Sequence, residues 1–174
     1  MSDDSDSHLF IPGPAGSTPE VLAASGRPVV PHYGAEFVAV YNRCIDLFKI
    51  VFQTQSDVFL IVGPGTASLD AALGSALPDG ARVLVPGNGY FGTRIADMCR
   101  AHRAEVDLVE FPVGQAIDPD EVRRRFAVAA EPYDAVAWVH HETSTGVLNP
   151  VAEVAAIARE HGALTIIDAV ASLG

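Results

Sequence analysis

The segment His140-His141-Glu142-Thr143-Ser144-Thr145-Gly146 gathers two imidazoles, a carboxylate and a run of hydroxyls. Farther on, Asp168 closes the apolar run Leu164-Thr165-Ile166-Ile167 and leads into Ala169-Val170-Ala171-Ser172. Each segment sits at the end of an apolar run, where an α/β protein places its chemistry. His140, His141 and Glu142 are metal-ligand types, but neighbours on an extended chain point to opposite faces. They do not converge easily on one ion, no HExxH occurs, and no metal site is expected. Thr143, Ser144 and Thr145 suit hydrogen bonding to a polar ligand, or equally local turn bonds to backbone. Asp168 follows four apolar residues, so its carboxylate is expected to be buried or nearly so and to need a partner. No basic residue is near it in sequence. A distant arginine or a protonated ring nitrogen of a ligand would serve. The alternative is a helix N-cap, paired with the backbone that follows.

Two further segments carry glycine at a turn. Gly63-Pro64-Gly65-Thr66-Ala67-Ser68 joins an apolar run to a helical pattern. Free N–H groups at a helix start attract phosphate, and Thr66 and Ser68 add hydroxyls. The rival reading is a tight turn with Thr66 as cap. A dinucleotide fingerprint would want glycine where Ser68 stands, and Gly-Lys-Ser/Thr is absent. Asn88-Gly89-Tyr90-Phe91-Gly92 places two aromatics between glycines. A flat cofactor would stack on such a ring, or both rings fill core.

The elements that must position these residues follow from periodicity. Residues 9–31 are rich in Pro and Gly and read as an extended arm with turns. Residues 35–53 carry Phe37, Tyr41, Ile45, Phe48 and Phe52 on one helical face. Apolar runs then alternate with helical stretches: 58–62, 82–85, 105–111, 135–139 and 164–167 are the runs. Asp118-Pro119-Asp120-Glu121 opens a helix with a cap, a proline and a capping-box glutamate. Asn149-Pro150 is expected to cap and start another, ending near Gly162. This pattern predicts a three-layer α/β fold around a mostly parallel sheet buried on both faces. The arm, 1–31, and a domain, 32–174, are the expected divisions.

Twenty-two acidic against 11 basic residues give a net charge of −11. That surface repels nucleic acid and anionic membranes, which are excluded as partners. The polar leader, with Asp3, Asp4 and Asp6, is expected to be disordered. Cys44 and Cys99 match neither CxxC nor a zinc spacing and are expected to be small buried helix residues. No signal segment or membrane-length apolar run occurs, so a cytoplasmic protein is expected.

Taken together, the segments resemble the class V aminotransferases of the fold-type I group of pyridoxal 5'-phosphate (PLP) enzymes. They look most like the alanine–glyoxylate and serine–glyoxylate (serine–pyruvate) branch. Pro12-Gly13-Pro14 and Pro19-Glu20-Val21-Leu22 look like that family's opening arm. Gly63 to Ala72 looks like its phosphate loop and following helix. His141 to Pro150 and Asp168 to Gly174 are the most specific segments. The resemblance implies that Gly65 and Thr66 hold the phosphate and that Phe91 stacks on the pyridine ring. It implies that Thr143 bonds the ring hydroxyl, Asp168 pairs with the protonated ring nitrogen, and Val170 packs on the opposite ring face. Pro12 and Gly13 are implied at the substrate, and Pro64 departs from the family by removing a backbone donor.

The resemblance also implies a Schiff-base lysine and a substrate-binding arginine beyond the aspartate. The single lysine, Lys49, lies on the first long helix, so no catalytic residue is assigned to this chain. An amino-terminal part of the family's large domain is therefore expected, itself inactive, from a homodimeric parent. That parent would transaminate between alanine or serine and glyoxylate or pyruvate. A 2-aminoethylphosphonate–pyruvate aminotransferase and a non-catalytic binding module are the rivals.

Overall fold

The computed structural model describes residues 9–173. The acidic leader therefore lies outside the described residues. The chain divides into two compact units, Met1–Leu60 and Ile61–Gly174.

In the first unit, helix α1 (Pro19–Ser25) interrupts what the Pro/Gly content predicts as an extended arm. Pro19 explains it: a proline in the first helical position has its φ preset and needs no N–H partner there. Helix α2 (Gly34–Val51) follows the predicted periodicity, but none of its residues is fully buried. Its aromatic stripe packs along itself, with Phe37 stacked on Tyr41 at 6.3 Å and Phe48 tilted against Phe52 at 6.5 Å.

The second unit is the predicted α/β layer structure. It runs α3 (Gly65–Ala76), β1 (Arg82–Gly87), α4 (Tyr90–Ala101), β2 (Glu105–Glu110), α5 (Pro119–Val128) and β3 (Ala135–Val139). A short hairpin, β4 (His141–Glu142) and β5 (Val147–Leu148), precedes α6 (Val151–Glu160) and β6 (Leu164–Asp168). The main sheet is parallel, in the order β2-β1-β3-β6. Strand alternation sorts its two faces. Val83, Val85, Ala135, Ala137 and Val139 pack with Leu73, Ile95, Ala96 and Cys99 from α3 and α4. Leu84, Val136 and Trp138 pack with Val122, Val154, Ile157 and Ala158 from α5 and α6.

Two sequence expectations fail here. The apolar run 58–62 forms no strand; Phe59 is 78% and Val62 103% exposed. A strand needs a neighbour for its N–H and C=O groups, and this run pairs with none of the described strands. Asn149 is not the cap of α6 either. Pro150 takes that position with no side-chain cap bond, and Asn149 turns into the interior. Asp118 does cap α5, accepting from Asp120 N at 2.9 Å. Its expected partner Glu121 bonds Arg124 and Arg125 instead of reaching back.

Of the two cysteines, Cys99 is fully buried and Cys44 only partly.

Candidate functional site

Register brings three strand ends level. Leu84 is opposite Val136 and Val139 is opposite Asp168. Counting on from Leu84, Gly87 reaches the same height as Val139. The segments leaving these ends carry Phe91, in the first turn of α4, and Thr143 and Val170 in turns. This is the carboxyl edge of a parallel sheet, where ligands bind.

Helix α3 starts at that edge. Its N-cap is Pro64, not Thr66, and no side chain caps it. Ala67 N is satisfied by Pro64 O at 2.8 Å, while the N–H groups of Gly65 and Thr66 find no partner among the described residues. Pro64 therefore precedes the first turn, and its missing N–H removes one donor there but leaves those of Gly65 and Thr66. The Thr66 and Ser68 hydroxyls are also without a partner among the described residues. Gly65 lies directly against Val170: a Cβ there would sit 2.9 Å from Val170 Cγ2. The start of α3 and the turn after β6 are thus packed together.

Asp168 is half-buried rather than buried. Its Oδ1 accepts from Val170 N at 3.1 Å, a local turn bond. No cation pairs with the carboxylate among the described residues. The turn is held from the other side by the two histidines. His140 N donates to Asp168 O at 2.8 Å, His140 Nδ1 meets Ser172 Oγ at 2.9 Å, and His141 Nδ1 meets Ala171 O at 3.3 Å. These rings clamp a loop, and no three metal-ligand side chains gather among the described residues.

Phe91 is half-buried against the α3–α4 core layer, with Tyr90 edge-on to it at 5.2 Å and 61% exposed. The core reading holds for Phe91, which anchors against this layer while keeping part of its ring exposed. Thr143 is half-buried and its hydroxyl makes no hydrogen bond among the described residues, whereas Ser144 bonds Glu142 and Tyr90 N, and Thr145 bonds Glu142 O. Pro12 and Gly13 belong to the first unit, where they are exposed bends.

Sequence reasoning missed the buried polar residues that shape these loops. Asn149 Oδ1 accepts from Asn88 Nδ2 at 2.9 Å and from Ile117 N at 3.0 Å. Its Nδ2 donates to Val139 O at 2.9 Å and Asn88 Oδ1 at 3.1 Å. Asn88 Nδ2 also donates to Gln115 O at 2.7 Å. One amide pair therefore ties together the ends of β1 and β3 and the loop before α5. Glu142, fully buried, accepts from Gly92 N at 3.0 Å. Its other oxygen takes Ser144 N at 3.2 Å and Ser144 Oγ at 2.5 Å. The signal for Asn149 was its place between an apolar strand and a proline, which reads equally well as a cap. Glu142 gave no signal beyond its neighbours.

The groups left unspent at this edge form a donor set of definite chemistry. Two backbone N–H groups and two hydroxyls at a helix start suit an anion. A lone carboxylate suits a cation, Thr143 a hydroxyl, and Phe91 a flat ring. A pyridine ring bearing a phosphate and a hydroxyl presents all four, so the residues present fit PLP.

Comparison with known proteins gives the same direction. The chain is 37% identical over 169 residues to an uncharacterised aminotransferase of Methanocaldococcus jannaschii, covering 95% of this chain and 43% of the relative. It is 36% identical over 178 residues to a 2-aminoethylphosphonate–pyruvate transaminase of Burkholderia lata, covering 97% and 46%. Among solved structures, the alanine–glyoxylate aminotransferase of Nostoc matches with a TM-score of 0.88 at 32% identity, over 100% of this chain and 48% of that one. The chain thus spans less than half the length of these proteins. The family model Aminotransferase class-V matches residues 20–174, a span that takes in every strand end and loop of the site. On that match the chain belongs to the class-V aminotransferases, a PLP-dependent family.

Proposed function

We propose that the full-length protein is a PLP-dependent aminotransferase. It exchanges an amino group between a small amino acid, alanine or serine, and an oxo acid, glyoxylate or pyruvate. The observation that carries the reading is the level carboxyl edge, with unspent N–H groups at Gly65 and Thr66 and the lone carboxylate of Asp168. Gly65 and Thr66 bind the phosphate at the positive end of α3. Phe91 and Val170 hold the two faces of the ring, and Thr143 orients it through its hydroxyl. Asp168 holds a proton at the ring nitrogen, because a carboxylate nearby favours the cationic form. When bound, the cofactor supplies an electron sink for the amino acid's α-carbon. Pro12 and Gly13 contribute to the substrate site. The protein is a cytoplasmic homodimer in this reading; none of the described helices is long and apolar enough to cross a membrane.

A second reading, 2-aminoethylphosphonate–pyruvate transamination, is favoured by the identity to the Burkholderia lata enzyme. Incubating the full-length protein and PLP with alanine and glyoxylate should yield pyruvate and glycine. Turnover only with 2-aminoethylphosphonate and pyruvate would select the second reading. Tight PLP binding without transfer from any donor would mark a non-catalytic module and overturn both.

A further inference from the structure

Glu142 is a buried carboxylate with no cation on it among the described residues, an arrangement that needs strong donors in compensation. Those donors come from the first turn of α4 and from Ser144. Oε2 takes Gly92 N, and Oε1 takes Ser144, whose Oγ accepts from Tyr90 N at 3.0 Å. The backbone comes so close that a Cβ on Gly89 would sit 2.6 Å from Glu142 Cδ. Gly89, the N-cap of α4, has no side chain with which to cap it. Glu142 and Ser144 therefore supply the missing cap from another loop, gripping the amides on either side of Phe91. A negative charge at a helix N-terminus is favourable, and its first N–H groups otherwise lack partners.

We infer that Glu142 is a positioning residue: acting through Ser144 and the first turn of α4, it sets the Phe91 ring on which the cofactor stacks. The inference rests on the stacking role given to Phe91 above. The carboxylate is required rather than its shape alone. Glu142→Gln keeps one acceptor oxygen and turns an NH2 group toward either Gly92 N–H or Ser144, donor against donor.

The test uses the full-length protein with Glu142→Gln, Phe91→Ala, their double variant, and Val154→Ala as a control in the opposite core layer. Without cofactor, Glu142→Gln should speed amide exchange at Tyr90 and Gly92 by about tenfold or more, the scale of a lost charge-assisted hydrogen bond. Val154→Ala, at a similar loss of thermal stability, should leave those amides near wild type. With PLP, Glu142→Gln should bind more weakly, and adding it to Phe91→Ala should weaken binding little further. Exchange at these amides that merely tracks global stability would overturn the inference. So would additive losses of PLP affinity. Unchanged PLP affinity in Phe91→Ala would instead overturn the stacking role, and the exchange result would then decide alone whether Glu142 holds the turn.

Discussion

Gly65 and Val170 touch across the carboxyl edge of the sheet, leaving no room for a side chain at position 65: its Cβ would sit 2.9 Å from Val170 Cγ2. The close approach brings the start of α3 onto the turn that follows Asp168. The free N–H groups of Gly65 and Thr66 and the Asp168 carboxylate are thus held at one spacing.

Gly65→Ala should push the two loops apart. We expect a stability loss of about 1 kcal/mol or less, below the cost of overpacking a core, because the Val170 side chain is 77% exposed and can turn away. Val170→Ala in the same chain should return part of that loss, since it removes the atom in the way. Urea denaturation of the single and double variants measures the coupling. Strictly additive losses would mean that the contact does not constrain the site.

Asn149→Ala separates two accounts of one residue. A simple helix cap is worth about 1 kcal/mol. The observed role leaves Asn88 and Ile117 N–H with unpaired buried donors, for a loss of about 3 kcal/mol. Equilibrium unfolding of the variant distinguishes the values, and a loss near the cap figure would contradict the clamp.

That residue also marks where the sequence stopped being legible. Periodicity placed the strands at 82–85, 105–111, 135–139 and 164–167, because a parallel sheet covered on both faces demands continuous apolar runs. The run 58–62 is apolar too but forms no strand among the described residues, since an apolar run states only that burial is favourable and not which strand will pair with it. The free N–H groups of Gly65 and Thr66, the Thr143 hydroxyl and the Asp168 carboxylate lie at strand ends and helix starts, which are local features that a sequence marks. Glu142, Ser144, Asn88 and Asn149 were not. Their bonds span up to 61 residues, and no local pattern records a long-range partner.

Alkaline pH should destabilise the fold. Burial pushes the Cys99 thiol up to about 11 from 9.0. Burial, together with the hydrogen bond to Asp107, pushes Tyr133 up to about 12 from 10.0. Both folded values lie above the unfolded ones. Their contribution is therefore complete below pH 9 and is lost as pH rises toward about 12, because the unfolded chain ionises first. Cys99→Ala should flatten the lower part of this fall and Tyr133→Phe the upper part, as read from unfolding curves across the range. Unchanged slopes in both variants would refute the assignment.

Asp168→Asn offers the most direct test of the PLP site, because it removes a charge while an amide oxygen can still accept from Val170 N. Stability should stay within about 0.5 kcal/mol of wild type, as for surface changes that spare a structural bond. The decisive measurement is PLP titration of the full-length protein and of this variant, followed by absorbance across pH to read the ring nitrogen. The account predicts that wild type holds the ring protonated through neutral pH. The variant should bind PLP about tenfold or more weakly, with the ring nitrogen losing its proton at lower pH, the scale of one missing charge partner. Equal affinity and an unchanged ring titration in the two proteins would contradict it.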